Sequence, residues 1–365
     1  MKFIPQIEPW IDSEELDQLR EVVESTYISE HKKTDEFLAG VKKVTNSPYA
    51  LAISNGTLAL VACLIAEGVG PGDEVIVPDL TFIATANAVL MVGATPIFCD
   101  VLESTGCMDP VFCEKLITNK TKVLMPVHLY GQAADILKFV VIAKKNNLLL
   151  IEDAAESFGM FVDGKALGTF GDYGIFSFFA NKVITCGEGG VVIANSEENY
   201  KKIYRIKNHG RDRRGTFIHE HVGYNFCFTD LQAAIGVSQL GKLERILNAK
   251  KKNYDYYIEY LSDIEGLEIS TISDLVVSNY WFVNIFVDDP EALSMYMERK
   301  GIGTRRFFFP LHRQPCYKNI VSKDYIVSDR LFNRGLSLPS SPMLDDEARN
   351  YIISTVKNYF KRKNP

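Results

Sequence analysis

The sequence lacks the cysteine spacings that hold a metal ion. Its seven cysteines are an odd number and are scattered along 365 residues. No CxxC pair and no Cys/His cluster with zinc spacing occurs. Cysteines such as Cys63 and Cys99 stand in apolar runs and are interpreted as small core residues, as expected in a reducing compartment. The sequence therefore predicts no metal site.

The sequence also lacks long hydrophobic runs and an excess of positive charge. No apolar run approaches the ~20 residues that cross a bilayer, and Met1–Gln6 has no apolar segment like that of a signal peptide. The formal net charge is −6, which argues against a nucleic-acid-binding surface. We therefore expect a cytoplasmic protein without membrane or nucleic-acid partners.

The composition is that of an ordinary globular protein, with 47% hydrophobic and 24% charged residues. Between residues 49 and 194, short apolar runs alternate with helical patterns, which predicts βαβ units and a mostly parallel sheet. The length predicts two domains. We place an N-terminal helix and the larger domain in residues 1–240, and a linking helix and a smaller α/β domain in residues 241–365.

The alternation of patterns predicts individual elements. Helices are predicted at Asp12–Glu24, Thr57–Glu67, Ala134–Lys145, Asp230–Leu261, Pro290–Lys300 and Asp345–Phe360. Strands are predicted at Ala50–Ile53, Glu74–Val77, Thr95–Val101, Val123–Val127, Leu148–Glu152, Gly174–Phe179, Gly189–Ala194, Tyr280–Val287 and Thr304–Phe309. The connection between the sixth and seventh strands is short, so we expect that pair to be antiparallel.

The most informative segment is Ser177–Gly190, which places one lysine, Lys182, among aromatic and small residues. Desolvating an ammonium is costly, so a lysine held in such a segment favours its neutral amine and becomes a nucleophile. A Schiff-base lysine needs this property. On its own, Lys182 would more commonly be a surface lysine on a turn.

A second feature is the acidic end of a predicted strand. The run Leu148–Ile151 is followed by Glu152 and Asp153, and an acid at the carboxyl end of a buried strand points into the crevice where open α/β sheets bind ligands. An aspartate on a pyridinium nitrogen and a lysine Schiff base are together the requirement of pyridoxal phosphate (PLP) enzymes. Asp153 alone could instead cap the helix that follows.

A phosphate site is suggested by Ser54–Thr57, which stands between a predicted strand and a predicted helix. A helix N-terminus offers free N–H groups to a phosphate, and Gly56 lets the backbone approach closely. Ser177 supplies a hydroxyl suited to the same phosphate. Phe82 could stack on a flat cofactor ring. The alternatives are a plain helix cap for Ser54–Thr57 and core packing for Phe82.

Four segments together resemble the DegT/DnrJ/EryC1/StrS family of PLP-dependent nucleotide-sugar aminotransferases. They are His128–Gln132, Glu152–Glu156, Ser177–Gly190 and Gly223–Asn225, and the resemblance runs over nearly the whole chain. It implies the aspartate aminotransferase fold (fold type I), with a three-layer α/β/α large domain and a smaller C-terminal α/β domain. It also implies the cofactor pyridoxal 5'-phosphate, which becomes pyridoxamine 5'-phosphate in the half-reaction.

The resemblance assigns roles to matching residues. Lys182 would form the Schiff base and carry the proton during catalysis, Asp153 would hold the pyridinium nitrogen protonated, and Glu156 would lie near the ring hydroxyl. Asn225 would reach the phosphate from the neighbouring subunit, so that a homodimer shares its active site. The remaining cofactor-binding residues that the resemblance implies are Gly56, Thr57 and Ser177 at the phosphate and Phe82 on the ring.

Within the family, the chain is most similar to enzymes that transfer the amino group of L-glutamate to C4 of a nucleotide-linked 4-keto-6-deoxyhexose. Their products are perosamine- or viosamine-type sugars for aminosugar and glycan biosynthesis. Two alternative functions stay open, namely amination at C3 of a 3-keto sugar and PLP binding without catalysis. The chain departs from the family at Glu30–Lys33 and at Arg306, which replaces a proline. Substrate-binding candidates are Tyr27, Ser29, His128, Arg305 and His312.

Overall fold

The computed structural model describes residues 3–213, 215–320 and 324–363. The helices are α1 (Ser13–Ser25), α2 (Lys32–Thr45), α3 (Gly56–Ala66), α4 (Ala84–Met91), α5 (Pro110–Leu116), α6 (Ile136–Asn146), α7 (Glu197–Lys207), α8 (Asp230–Leu261), α9 (Pro290–Glu298), α10 (Ile326–Arg334) and α11 (Asp346–Lys363). Short 3-10 helices lie at Leu311–Arg313 and Pro315–Tyr317.

The strands alternate with these helices along the first half of the chain, which is the βαβ pattern expected from the sequence. They are β1 (Ala50–Ile53), β2 (Glu74–Pro78), β3 (Thr95–Cys99), β4 (Thr121–Leu124), β5 (Leu149–Asp153), β6 (Phe161–Val162), β7 (Lys165–Ala166), β8 (Tyr173–Ser177), β9 (Gly190–Ala194), β10 (Leu267–Ile269), β11 (Val276–Val277), β12 (Val283–Val287), β13 (Arg305–Arg306) and β14 (Gly335–Leu338).

The large sheet has seven strands in the order β1-β9-β8-β5-β4-β2-β3. The pairs that join β8, β5, β4, β2 and β3 are parallel. Strand β9 runs antiparallel to both of its neighbours, which confirms the expectation drawn from the short connection after β8. The mixed α/β fold with a mostly parallel sheet is therefore confirmed.

Apolar cores cover both faces of this sheet. Along β2, Ile76 belongs to one core, whereas Val75 and Val77 belong to the other, because successive side chains of a strand point to opposite faces. Helices α2, α6 and α8 contribute to the core that contains Ile76, and α3, α4 and α7 contribute to the opposite core. The result is three layers, with the carboxyl ends of the parallel strands meeting at one edge.

A second sheet follows the long helix α8. Its strand order is β10-β12-β14-β13, and each pair is antiparallel. Helices α9 and α11 and the C-terminal part of α8 share a third apolar core with it. Helix α8 covers Asp230–Leu261, as predicted, and therefore connects the two sheets. Within the described residues, no helix is long and apolar enough to cross a membrane.

Several predicted boundaries are wrong. The strand expected at Thr304–Phe309 is limited to Arg305–Arg306, since β13 pairs with β14 at these two residues. The strand expected at Tyr280–Val287 begins only at Val283. The preceding segment turns away because Asn279 is buried and bonded to loop carbonyls. Helices α2, α7 and α10 and strands β6, β7, β10, β11 and β14 lie outside all predicted elements.

Candidate active site

A cavity of about 620 Å³ lies at the carboxyl edge of the large sheet, where β5 and β8 end. Its lining also includes the N-terminus of α3 and one residue of β13 from the small sheet. The fold thus brings together groups that are far apart in the sequence. The predicted site residues that line the cavity are Gly56, Thr57, Phe82, Asp153, Glu156, Ser177, Lys182 and Arg305.

The N-terminus of α3 forms one end of the cavity. Asn55 caps it by accepting a hydrogen bond from the Leu58 N–H at 2.9 Å, and the N–H groups of Gly56 and Thr57 have no carbonyl four residues earlier within the helix. A Cβ on Gly56 would lie 3.1 Å from Cβ of Ser177, so glycine permits this close approach. Free N–H groups beside a serine hydroxyl are suited to a phosphate.

Asp153 ends β5 with its carboxylate buried at the cavity. Thr85 Oγ1 donates a hydrogen bond to Oδ2 at 2.8 Å, and the Ala155 N–H donates to Oδ1 at 3.2 Å. Burial raises the pKa of Asp153, although the hydrogen bond from Thr85 opposes this effect. A desolvated carboxylate is stabilised by a cation placed beside it. Asp153 can therefore hold a protonated ring nitrogen.

Lys182 lies between a carboxyl group and an indole ring. Its Nζ is 3.5 Å from Glu156 Oε1 and 4.3 Å from the centroid of the Trp281 ring. Glu156 Oε2 accepts a hydrogen bond from the Tyr130 N–H at 2.8 Å. Burial raises the pKa of Glu156 to about 7, against the opposing charge of Lys182. A carboxyl group that titrates near neutral pH therefore stands beside the amine.

Phe82 and Phe308 form an aromatic pair at the cavity, with their ring centroids 5.6 Å apart. The Phe82 side chain is 54% exposed. Phe82 is thus not packed into the core, which was the alternative open at the sequence level. A flat ring placed between Asp153 and the helix α3 N-terminus would meet the face of such an aromatic side chain.

Among the lining residues outside the predicted set, Thr85, Asn181 and Trp281 bear most directly on the chemistry of the site. Thr85 is the second residue of α4 and stands three residues after Phe82, and this proximity in the sequence was the available signal. Asn181 precedes Lys182, and its Oδ1 atom is buried without a hydrogen-bond partner in the described part of the chain. No feature of the sequence indicated a role for Trp281 at the site, because its position beside Lys182 depends entirely on how the second sheet packs on the first.

The structure does not bring His128 to the cavity, contrary to its prediction as a substrate-binding residue. Its side chain is fully buried, Nε2 donates to Glu152 Oε2 at 3.1 Å, and Nδ1 accepts from the Ala134 N–H at 3.2 Å. Glu152 accepts further hydrogen bonds from the backbone N–H groups of Gly168, Phe170 and Gly171. With both ring nitrogens occupied, His128 stabilises the carboxyl end of β5.

His312 is also outside the lining of the cavity. Its Nδ1 lies 2.8 Å from Asp79 Oδ2, and its N–H donates to Asp79 Oδ1 at 2.8 Å. The Nε2 atom lies 3.5 Å from Asp329 Oδ2. Because Asp79 follows β2 directly, this network attaches the segment after β13 to the edge of the large sheet. His312 is thus held by protein groups instead of facing the cavity.

Tyr27, Ser29 and Asn225 lie at other clefts. Tyr27 is 61% exposed and stacks on His31, with ring centroids 4.6 Å apart. Ser29 and Asn225 line one cleft of about 390 Å³ together with Lys207. These residues do not meet Lys182 within a single chain.

The two departures from the family pattern have contacts within the chain. Glu30 accepts hydrogen bonds from the buried Lys207 amine on both oxygens, each at 2.9 Å. Lys33 pairs with Glu21 at 2.8 Å and with Glu36 at 3.2 Å. The Arg306 guanidinium donates to the carbonyls of Gly335 and Phe332. Arg306, Glu30 and Lys33 therefore form hydrogen bonds and ion pairs within the chain.

The residues at the main cavity fit pyridoxal phosphate. Its phosphate matches the α3 N-terminus and Ser177, its ring nitrogen matches Asp153, and its aldehyde matches the Lys182 amine. The unpaired Oδ1 atom of Asn181 offers a further acceptor to a bound molecule. A carboxylate, an amine and a phosphate cradle at one sheet edge are the set that this cofactor requires.

Comparisons with known proteins agree with this set of groups. The model of the DegT/DnrJ/EryC1/StrS aminotransferase family matches residues 9–357. GDP-perosamine synthase of Escherichia coli O157:H7 is 38% identical over 367 residues, covering 100% of both chains. UDP-2-acetamido-2-deoxy-3-oxo-D-glucuronate aminotransferase of Pseudomonas aeruginosa is 35% identical, covering 85% of this chain and 86% of the relative. Spr1654 of Streptococcus pneumoniae, described as a sugar aminotransferase and solved in a PLP form, has a TM-score of 0.92 and 27% identity over 99% of each chain.

Proposed function

Since the chain belongs to the DegT/DnrJ/EryC1/StrS aminotransferase family, we propose that it transfers the amino group of L-glutamate to C4 of a nucleotide-linked 4-keto-6-deoxyhexose, giving a perosamine-type product. The enzyme is a PLP-dependent aminotransferase. The observation that carries the choice of substrate is the 38% identity to a GDP-perosamine synthase over the full length of both chains.

Lys182 is the residue that moves the proton in this proposal. Bound pyridoxal phosphate supplies an electron sink for the negative charge that develops on the reacting carbon. The Lys182 Nζ atom takes the proton from one carbon and returns it to another, so one amine serves as both base and acid. Glu156 Oε1, 3.5 Å away, keeps that amine at the cavity.

The other cavity residues bind and orient the cofactor in this proposal. Asp153 holds the proton of the ring nitrogen, and Thr85 fixes the orientation of the Asp153 carboxylate through its 2.8 Å hydrogen bond. Gly56, Thr57 and Ser177 bind the phosphate. Phe82 covers the ring face. This assignment is supported by the observation that all of these residues line the same cavity.

Arg305 is proposed to bind a phosphate of the nucleotide. Among the described residues that line the cavity, Lys182 and Arg305 are the cations. The Arg305 guanidinium lies 5.4 Å from the centroid of the Phe282 ring, and a guanidinium that stacks on a ring keeps its N–H groups free for a phosphate.

The active site is proposed to be shared between two copies of the chain. Asn225 is exposed and lines a different cleft from Lys182, so a role at the cofactor phosphate requires a second subunit. The segment that carries Asn225 includes exposed apolar side chains, among them Val222 and Tyr224. Such side chains are typical of a surface that a partner covers. A cytoplasmic location stays a prediction, which cell fractionation would test.

The test is the product made by the purified protein with PLP and L-glutamate. We expect GDP-4-keto-6-deoxymannose to be converted to an amine, detected by mass spectrometry, with little conversion of UDP- or dTDP-4-keto-6-deoxyglucose. Conversion of neither type of 4-keto sugar would overturn the proposal. Preference for a glucose-configured sugar would keep C4 amination but replace the perosamine-type product.

Amination at C3 is a second candidate, because the Pseudomonas aeruginosa relative that acts on a 3-oxo sugar is 35% identical. Its alignment covers less of this chain than the alignment with the perosamine synthase does. A 3-keto nucleotide sugar belongs in the same substrate panel. Turnover of that sugar alone would favour this candidate.

A further inference from the structure

Trp281 lies against the amine of Lys182, although Trp281 precedes β12 of the small sheet and Lys182 follows β8 of the large sheet. We propose that Trp281 is a positioning residue for Lys182, and that the buried Lys250 fixes Trp281 in place. The inference rests on the proposed function in one respect: Lys182 must move a proton between two carbon atoms. It adds two residues, Trp281 and Lys250, to those that control the reaction.

The Trp281 ring is attached to the segment that carries Lys182. The Lys182 Nζ atom lies 4.3 Å from the ring centroid, within the range of a cation–π interaction. The indole Nε1–H donates to the Asn181 carbonyl at 2.8 Å. The ring thus contacts the lysine amine and is bonded to the residue just before it. Trp281 is 1% exposed and the Lys182 side chain is 14% exposed, so both sides of this contact are largely removed from water.

The backbone of Trp281 is attached to the segment that carries Glu156. The Trp281 N–H donates to Asn279 Oδ1 at 3.1 Å, and Asn279 Nδ2 donates to the Glu156 carbonyl at 2.8 Å and to the Phe158 carbonyl at 3.2 Å. The residue between them, Tyr280, has φ of 50°. A tyrosine occupies this left-handed region only where the surroundings determine it.

Lys250 holds Trp281 through the backbone carbonyl, in addition to the contacts of the ring and of the backbone N–H. Its Nζ donates to the Trp281 carbonyl at 3.2 Å and to the Ser340 carbonyl at 2.9 Å. Lys250 is 1% exposed, and burial lowers its pKa to about 7. A buried lysine is costly, and here its hydrogen bonds join α8 to the segments that flank β12 and β14. These hydrogen bonds fix the position of Trp281 relative to α8.

Positioning matters because a free lysine amine can adopt many rotamers. Glu156 on one side and the Trp281 ring on the other confine the Nζ atom to the part of the cavity where proton transfer takes place. The competing explanation is that Trp281 only fills the core, since its ring also packs against Phe282 and Tyr130. Core filling requires volume, whereas positioning requires the face of an aromatic ring beside Nζ.

The first test reads the contact directly by fluorescence. The chain has two tryptophans, so Trp10→Phe leaves Trp281 as the single tryptophan, excited selectively, in the full-length protein stripped of cofactor. We expect Lys182→Met in that background to change the emission spectrum and its quenching, because the charge above the indole is removed. Lys165→Met is the matched control, since its Nζ lies 4.5 Å from the Phe170 ring centroid. An unchanged spectrum in Lys182→Met would overturn the proposal.

The second test separates ring chemistry from volume in the holoenzyme. We expect Trp281→Leu to lower kcat roughly 30-fold, the loss that corresponds to one desolvated cation–π contact, with the KM values of glutamate and keto sugar within about threefold. Trp281→Phe, which keeps a ring face, should retain kcat within about fivefold. Equal decreases of kcat in both variants, or a change in KM without a change in kcat, would overturn the proposal.

Lys250→Met keeps the proposal testable if the Trp281 variants do not fold. In the Trp10→Phe background it should shift the Trp281 emission and lower kcat, and an unchanged emission with unchanged kcat would contradict the role of Lys250. The emission tests use no substrate. If the emission responds as expected but no keto sugar is aminated, the proposed function fails, whereas the Trp281 contact stands.

Discussion

Single residues at the cavity have properties that depend on their removal from water. Asp153 ends β5 and Glu156 follows that strand. Burial raises the pKa of each carboxyl group. Lys182 shares the cavity with them, and the 3.5 Å contact with Glu156 joins the amine to a group that titrates near pH 7. The chemistry of each residue is therefore set by its neighbours.

Lys182→Ala should abolish aminotransferase turnover, with a loss of at least about 1,000-fold, because the variant lacks both the nucleophile and the proton carrier. The measurement is steady-state amination of the keto sugar, with circular dichroism to verify the fold. Lys165→Ala, which removes an exposed lysine near an aromatic ring, is the control and should keep near-normal turnover. Near-normal turnover in Lys182→Ala would contradict the mechanism.

Glu156→Gln should change how stability depends on pH. In the folded protein the Glu156 carboxyl has a pKa of about 7, against 4.5 for an ordinary glutamate. Between these values the folded state holds the proton that the unfolded state has released, so stability falls as pH rises.

The measurement is urea unfolding of both proteins from pH 4.5 to 8. The free energy of unfolding of wild type minus that of Glu156→Gln should fall by at most about 1.4 kcal/mol per pH unit up to pH 7 and then become constant. A difference that stays constant or rises across this range would show that Glu156 is not the raised group.

At the scale of elements, the buried carboxylate of Asp230 caps a helix other than its own. Helix α2 begins after His31 without a side-chain cap of its own. Asp230, the first residue of α8, accepts hydrogen bonds from the N–H groups of His31, Lys33 and Thr34 at 2.7, 3.0 and 3.0 Å. It also accepts from Thr34 Oγ1 at 2.7 Å. Helices α2 and α8 are thereby fixed to each other.

Asp230→Ala should destabilise the protein by about 3 kcal/mol, since it leaves the buried donors of Thr34 and the partly buried N–H groups of His31 and Lys33 without an acceptor. Asp289→Ala is a matched control, because Asp289 also caps a helix but bonds an exposed N–H of Ala292. The control variant should lose about 1 kcal/mol of the free energy of unfolding. Denaturant unfolding measures both, and equal losses would contradict the importance of the Asp230 contacts.

At the scale of the whole molecule, α8 connects the seven-stranded sheet to the four-stranded sheet without a break. The helix has 32 residues and contacts α1 and α2 beside the large sheet and α11 beside the small one. The division of the chain near residue 240 falls within this helix and stays a prediction. Arg305 and Trp281 reach the cavity from the small-sheet side, so the cavity depends on how the two sheets pack.

A shared active site predicts complementation between inactive variants. Lys182→Ala and Asn225→Ala would each be inactive or weak as homodimers, but a mixed dimer would contain one intact site. After unfolding and refolding of an equal mixture, activity should recover to about one quarter of wild type, because half of the dimers are mixed and each has one of two sites. Mixing Lys182→Ala with itself is the control. No recovery from mixed dimers that are verified by mass would contradict the shared site.

The sequence alone determined the fold class and the elements whose ends meet at the cavity. Alternating β and helical patterns predict a mostly parallel sheet, because each strand and helix leaves its own periodicity in the local sequence. The strand ends at Asp153 and Ser177 and the α3 N-terminus then converge, since parallel strands end at one edge. Local signals of this kind also identified Lys182.

Only the tertiary structure decided which side chains reach the cavity from elsewhere. His128 follows β4 at the same sheet edge, yet Glu152 binds its Nε2 and keeps it in the core. Trp281 has the pattern of a strand residue, yet the packing of the small sheet places it against Lys182. Contacts between residues about 100 positions apart depend on long-range packing, which leaves no periodic trace in the sequence.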